Sequence, residues 1–405
     1  MNTLYCRLYQ RTLQLASYFL PWRKPTLLEG ENSLNKLPEL IGRKGIHKVL
    51  IVTDQGISSL GLMKGFLQGL AKIGVGYHVY DKTVPNPTLD NIEEALKLYQ
   101  EHQCEGIVAF GGGSPMDCAK GVGARVANPH KSISQMKGVL KVRRKLPPLF
   151  AIPTTAGTGS EATLAAVISD PRAREKYPVN DTALIPHYAV LDPLLTVGLP
   201  KNITSTTGLD ALTHAVEAYI GRSNTKETKE LSRKAVRLIF DNLYTAYSQG
   251  ENVKARENML KASYYAGMAF TRAYVGYIHA LAHALGGFYG VPHGLANAVI
   301  LPYVLEYYGK TVHEQLAELA DVLEMGSPGD SHEKKATLFI EAIKELSEKM
   351  NIPQKIEVIL AEDIPLLMEH AWKESTPLYP VPKLLSKNDL SNILHLISTA
   401  KKEEV

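Results

Sequence analysis

The sequence predicts an α/β domain built on a mostly parallel sheet, followed by an all-helical domain. Three observations carry this. Short apolar runs alternate with helical patterns through about the first 200 residues. Strand-like runs vanish from about Lys201, and helical periods replace them. A run of glycines directly follows one of the strands and precedes a helix start.

Lys48–Val52 (KVLIV) is an apolar run ending at Thr53-Asp54, and Gly76–Tyr80 is a second. Thr88 to His102 has Ile92, Leu96 and Tyr99 at helical spacing. Gly106–Phe110, Leu149–Ile152, Ala165–Ile168 and Tyr188–Leu191 read as further strands. Beyond Lys201, Leu212, Val216, Tyr219 and Ile220 repeat with the helical period. Residues 326–329 (GSPG) punctuate the helical half, and Ser386 with Asp389 reads as a capping box that starts the final helix.

At 405 residues the chain suits two domains, or three, with ample apolar content at 45%. A net charge of +4 is too small for a charge-driven nucleic-acid binder. No run of 18 apolar residues spans a membrane. The three cysteines, Cys6, Cys104 and Cys118, form no paired spacing, which suits a reducing cytoplasm. The N-terminal stretch is basic and partly amphipathic but lacks the h-region and cleavage site of a signal peptide. It reads as a helix packing on its own protein, with weak peripheral membrane contact as the lesser alternative.

Gly111-Gly112-Gly113-Ser114-Pro115-Met116-Asp117 has the chemistry of a pyrophosphate cradle. Glycines let backbone N–H groups approach a ligand, and the following helix N-terminus favours an anion. Ser114 suits the N-cap, Pro115 the first helical position and Asp117 the acid of a capping box. The run is not a G-x-G-x-x-G fingerprint. Asp54 closes a strand, where an acid can accept from a ribose 2′-OH and repel a 2′-phosphate; Asp54-Gln55-Gly56 also reads as a simple turn. Residues 153–161 (PTTAGTGSE) form a second small-residue loop after a strand.

Histidines crowd late in the chain. Asp210 and His214 share a helix face at i, i+4, and His279 and His283 repeat that spacing among small and apolar neighbours. His293 follows in what reads as a loop. Buried imidazoles and a carboxylate need partners, and a divalent ion held by three His and one Asp would satisfy them. A lone His pair on a helix is more often a hydrogen-bonded structural pair, but two such pairs plus His293 favour a metal. Such donors suit Fe²⁺ or Zn²⁺. Spacing leaves open which of His279 and His283 is the ligand. A metal that lowers the pKa of an alcohol oxygen lets hydride leave, and a nicotinamide can accept it.

Taken together, GGGSPMDCAK (111–120), PTTAGTGSE (153–161), GLDALTHAVEAY (208–219) and HALAHALGGFYGVPHG (279–294) resemble the iron-containing (group III) metal-dependent alcohol dehydrogenase family, from about Tyr18 to the end. The resemblance implies a Rossmann-like nucleotide domain over 1–200, with 1–17 an extension, and a helical metal domain over 201–405. It puts the active site in the cleft between them. It implies Asp210, His214, His279 and His293 as metal ligands, and His283 as a proton-relay residue near the nicotinamide. Gly111, Gly112, Gly113, Ser114 and Asp117 match its pyrophosphate loop. Asn86, Thr154, Thr155, Thr158, Thr163 and Lys176 fall where the family contacts NAD(P), and Asp54 where an acid favours NAD over NADP. Ser205 departs from the family's usual aliphatic residue. The implied activity is a metal-dependent, NAD-linked alcohol dehydrogenase or aldehyde reductase acting on small primary alcohols or aldehydes, with Fe²⁺ favoured and Zn²⁺ an option, in a homodimer or larger homo-oligomer. The rivals are a glycerol or polyol dehydrogenase and a lyase resembling dehydroquinate synthase. The absence of Lys and Arg from His279 to His293 argues against the latter's anionic substrate.

Overall fold

The computed structural model describes residues 3–172 and 175–399. The chain forms two compact units: Pro21–Leu199 with Glu251–Gly267, and Met1–Leu20 with Pro200–Gly250 and Met268–Val405. This differs from a single division at 200. The first twenty residues go with the helical unit, and the segment 251–267 goes with the α/β unit.

The chain opens on helix α1 (Thr3–Ser17). The α/β unit then runs β1 (Thr26–Glu29), α2 (Leu37–Arg43), β2 (Lys48–Val52), α3 (Gln55–Ser59), α4 (Lys64–Lys72), β3 (Gly76–Tyr80), α5 (Leu89–Glu101), β4 (Gly106–Gly111) and α6 (Gly113–Ala127). It continues through β5 (Gly138–Val139), β6 (Leu149–Pro153), β7 (Ala165–Asp170), β8 (Glu175–Asn180) and β9 (Tyr188–Leu191). Six strands make one parallel sheet in the order β1-β9-β6-β4-β2-β3. A second, three-stranded sheet has the order β5-β8-β7, so Ala165–Ile168 lies outside the main sheet. The edge strand β1, the two-residue β5 and the largely polar β8 carry too little apolar pattern to stand out in the sequence.

Side-chain alternation along the central strands builds two cores. Leu50, Val52, Ile107 and Ala109 pack with Ile92, Met116, Ala119 and Val122 of α5 and α6. Their neighbours Val49, Ile51, Val108 and Phe110 pack with Leu37, Ile41, Phe66 and Leu70 of α2 and α4 on the other face. From β2 the chain steps outward to β3, then returns to place β4 on the other side of β2. The carboxyl ends of β2 and β4 therefore flank the topological switch point, where open α/β sheets bind ligands. Asp54 follows β2 and the glycine run follows β4.

The segment 251–267 joins this unit through a backbone contact. A Cβ on Gly267 would lie 2.6 Å from the carbonyl oxygen of Gly159, whose φ is +60°. Only glycine at both positions permits the approach.

The helical unit comprises α7 (Lys201–Ile220), α8 (Lys226–Ser248), the end of α9 (Val253–Ala273), α10 (Tyr277–Tyr289), α11 (His293–Tyr308), α12 (His313–Val322), α13 (His332–Lys349), α14 (Ile364–Ser375) and α15 (Lys387–Ile397). Ser386 and Asp389 form the expected capping box of α15. Helix α7 is buried on nearly every side from Gly208 onward, as suits a central helix. It packs on α8 and α11, while α10 packs on α11 and α14. Two glycines allow these approaches: a Cβ on Gly208 would meet Leu243 of α8 at 2.2 Å, and one on Gly294 would meet the carbonyl of Thr206 at 2.5 Å. No helix of the described residues is long and apolar enough to cross a membrane. Helix α1 packs on its own unit, its Cys6 and Gln10 buried.

Candidate functional site

In the α/β unit the glycine run forms a tight cradle at the carboxyl end of β4. Gly111 has φ +149°, and a Cβ there would meet Pro115 at 2.7 Å. A Cβ on Gly113 would meet Thr158 at 2.8 Å, and one on Gly112 would meet Thr155 at 3.4 Å. The two small-residue loops therefore lie against each other, and Thr154 N donates to the Gly111 carbonyl at 3.0 Å.

The helix start differs from the expectation. The N-cap of α6 is Gly112, so Ser114 lies within the first turn and Asp117 beyond it. Their side chains make tertiary bonds instead. Ser114 Oγ accepts from Asn86 N at 3.1 Å. Asp117 accepts from Ser160 Oγ at 2.9 Å and from Val167 N at 3.0 Å, tying α6 to the loop before β7 and to β7 itself. Burial raises the Asp117 carboxyl above its ordinary value.

The other cofactor candidates divide in two. Asp54 is the N-cap of α3, accepting from Ile57 N at 2.9 Å, so its turn-forming role is realised. Lys176 Nζ donates to Asn86 Oδ1 at 2.7 Å. Thr163 is buried beneath the loop, where its Oγ1 accepts from Lys120 Nζ at 3.0 Å. Burial lowers the Lys120 amine to about 8. Thr154 Oγ1 is buried beside the cradle with no hydrogen-bond partner among the described residues, which suits a position that awaits a polar ligand.

The helical unit gathers the second set. One ligand atom from each of Asp210, His214, His279 and His293 lies within 4.8 Å of the other three. Asp210 and His214 sit on α7 and His279 on α10. His293 is the first residue of α11 rather than part of a loop. Pro292 precedes it, and Gly294 brings this helix start against α7.

Buried carboxylates orient the rings. Glu217 accepts from His279 Nδ1 at 2.6 Å and from the backbone N–H groups of Gly276 and Ile278, each at 2.9 Å. It thereby caps α10 from a neighbouring helix and turns the His279 Nε2 lone pair toward Asp210. Burial works against charge on His279, but the bond to Glu217 and its charge prevail and hold the ring above its ordinary pKa. The His214 ring is stacked between Phe270 at 4.1 Å and His279 at 4.4 Å.

His283 lies just outside the set, stacked on His293 at 5.1 Å. Its Nδ1 is bound to Glu374 Oε1 on α14 at 2.6 Å. Tyr379 OH donates to the same oxygen at 2.6 Å. Burial opposes charge on Glu374, but His283 and Tyr379 outweigh it and hold the carboxyl below its usual value.

Asn297 tests whether the donor set fits a cation. Its Nδ2 donates to Asp210 Oδ1 at 2.7 Å and lies 3.1 and 3.2 Å from Nε2 of His279 and His293. An amide nitrogen has two hydrogens and cannot serve three lone pairs. These acceptors, with His214, lie within 4.8 Å of one another, a spacing that a single divalent ion would fit.

Sequence reasoning missed Glu217, Asn297 and Glu374. Glu217 carried a signal, since it lies seven residues after Asp210 on the same face of α7. Ser205, the departure from the family pattern, is buried with its Oγ bonded to the Asn202 carbonyl.

Residues 25–193 match the profile described as iron-containing alcohol dehydrogenase, and residues 204–398 match its Fe-containing alcohol dehydrogenase C-terminal counterpart. The chain belongs to the iron-containing alcohol dehydrogenase family. It is an oxidoreductase acting on alcohols. A 1,3-propanediol dehydrogenase of Citrobacter freundii is 39% identical over 350 residues, covering 85% of this chain and 90% of the relative. Alcohol dehydrogenase 4 of Saccharomyces cerevisiae is 39% identical over 365 residues, covering 89% and 93%. The structure of an alcohol dehydrogenase from Oenococcus oeni superposes with a TM-score of 0.90 at 36% identity, covering 93% of this chain and all (100%) of the other.

Proposed function

We propose that this member of the family is an NAD-linked, divalent-metal-dependent dehydrogenase of small primary alcohols, working in reverse as an aldehyde reductase. The convergence of Asp210, His214, His279 and His293 within 4.8 Å is the observation that carries this reading. These four residues would hold the ion, Fe²⁺ before Zn²⁺ for a nitrogen and oxygen donor set. When bound, the ion supplies Lewis acidity to the alcohol oxygen and the nicotinamide supplies the hydride acceptor.

The chain's own groups do the rest. Glu217 fixes the tautomer of His279 so that Nε2 faces the set. Glu374 fixes His283 in the same way, leaving its Nε2 to carry the alcohol proton away. Gly111, Gly112, Gly113 and Ser114 would receive the pyrophosphate at the start of α6, with the Thr154, Thr155 and Thr158 loop beside them. Asn86, Asp117, Thr163 and Lys176 hold those loops in place through the bonds described. Asp54 would favour NAD by repelling a 2′-phosphate. The stretch from His279 to His293 carries no Lys or Arg, which suits an uncharged substrate. The three cysteines are free and buried, which fits a reducing cytoplasm that would also keep iron ferrous. Turnover of an alcohol and aldehyde panel with NAD and NADP, under anaerobic conditions with Fe²⁺ or Zn²⁺ supplied, tests the reading. Activity on short primary alcohols with NAD supports it; activity confined to phosphorylated or carboxylated substrates overturns it.

A further inference from the structure

Helix α1 is built the wrong way round for a packing helix. Its Leu4, Leu8 and Leu15 are exposed, while Cys6 and Gln10 are buried. Apart from Gln14 Nε2, which reaches the Arg222 carbonyl at 3.5 Å, its polar side-chain bonds to the rest of the described chain go to one segment. Arg7 donates to the carbonyls of Val381 at 2.7 Å and Pro382 at 3.1 Å, and Gln10 Nε2 donates to those of Pro377 at 3.0 Å and Tyr379 at 2.7 Å. Arg7 also donates to Gln10 Oε1 at 2.9 Å, locking the two side chains together. The gripped segment contains Pro377, Pro380 and Pro382, which have no N–H to offer a ladder. Backbone N–H groups of Val381 and Arg222 serve the carbonyls of Tyr379 and Pro380, whereas those of Pro377, Val381 and Pro382 take their bonds from α1, and burying a carbonyl unbonded is costly. The segment carries Tyr379, whose hydroxyl donates to Glu374, the carboxylate that holds His283.

We propose that α1 is a positioning element, in which Arg7 and Gln10 fix the 377–382 segment and, through Tyr379 and Glu374, the ring of His283. The proposal rests on the reading that His283 serves turnover. Arg7, Gln10, Tyr379 and Glu374 are positioning residues, since none of them touches the reacting atoms.

The test uses the full-length chain loaded with metal, and compares the double variant Arg7→Ala/Gln10→Ala, Glu374→Gln, His283→Ala, and the triple combination of the first and third. The double variant is expected to lower kcat about tenfold, the scale of losses when a bond orienting an active-site histidine is removed. Metal content and the KM for NAD stay at wild-type values. Glu374→Gln gives the same loss, and Glu374→Asp, which keeps the charge, recovers part of it. In the His283→Ala background the double variant costs nothing further, an outcome that a merely structural helix would not give. Should the double variant not fold, Arg7→Lys keeps the cation without the fork and gives a smaller loss of the same kind. Normal turnover by the double variant beside a crippled His283→Ala enzyme overturns this proposal alone, as does an equal cost in both backgrounds. Wild-type turnover by His283→Ala overturns the reading of His283 and the proposal with it.

Discussion

Glu217 and His279 meet at 2.6 Å across α7 and α10, both buried, with the carboxylate also bonded to two backbone N–H groups at the start of α10. One side chain thus fixes the helix start and the tautomer of the ring that follows it. Substituting Glu217→Gln replaces an obligate acceptor with a group that can donate. The ring can then turn its tautomer and present N–H where its lone pair was. Metal affinity is expected to fall about 10–100-fold. Competition against a chelator of known affinity measures it, and an unchanged constant would contradict the role.

Gly267→Ala is expected to destabilise the α/β unit by about 1–3 kcal/mol, because the new methyl would meet the Gly159 backbone and neither group can rotate aside. The loop at 153–161 should shift with it. Thermal melting and NAD titration by fluorescence read the two effects, and a variant with wild-type Tm and wild-type NAD affinity would show that the contact relaxes at no cost.

Asp54→Asn separates cap from charge. Asparagine caps α3 as well as aspartate does, so stability should hold. The negative charge that would repel a 2′-phosphate is gone, so kcat/KM with NADP should rise relative to NAD. Steady-state kinetics with both coenzymes decide this; an unchanged ratio assigns Asp54 to the turn alone.

His187 gives a pH dependence with a defined sign. Burial, and then the Arg23 guanidinium, push the ring down to about 4. Its Nδ1 accepts from Leu149 N at 3.1 Å, a bond that needs the neutral ring. The unfolded chain, with a pKa of about 6.5, binds the proton more readily across the interval between the two values. The stability that the neutral ring contributes is therefore present above about pH 6.5 and is lost as pH falls toward about 4. The Tm gap between wild type and His187→Asn should narrow over that window. Parallel melting curves across it would refute the assignment.

Much of this architecture is legible in local pattern. The unbroken apolar runs of β2 and β4 mark strands buried on both faces, and the i, i+4 pairs Asp210/His214 and His279/His283 mark shared helix faces, because each signal spans only a turn or a strand. The rest depends on contacts distant in sequence. Nothing near Glu374 announces that it meets His283, which lies 91 positions away. Nothing in 251–267 announces a seat in the α/β unit, because the deciding fact is a backbone approach between Gly159 and Gly267. The start of α6 is not legible locally, because Ser114 and Asp117 look like caps and only the fold shows that Asn86, Ser160 and Val167 bond to their side chains.

In the proposed function Asp210, His214, His279 and His293 would hold the metal on which turnover depends, separately from dinucleotide binding. Metal content, NAD affinity and alcohol turnover of His279→Ala, measured side by side with the wild-type enzyme, test it most directly. The variant is expected to hold no metal and show no turnover while binding NAD as tightly as wild type. Wild-type turnover by His279→Ala would contradict this assignment of the metal ligands.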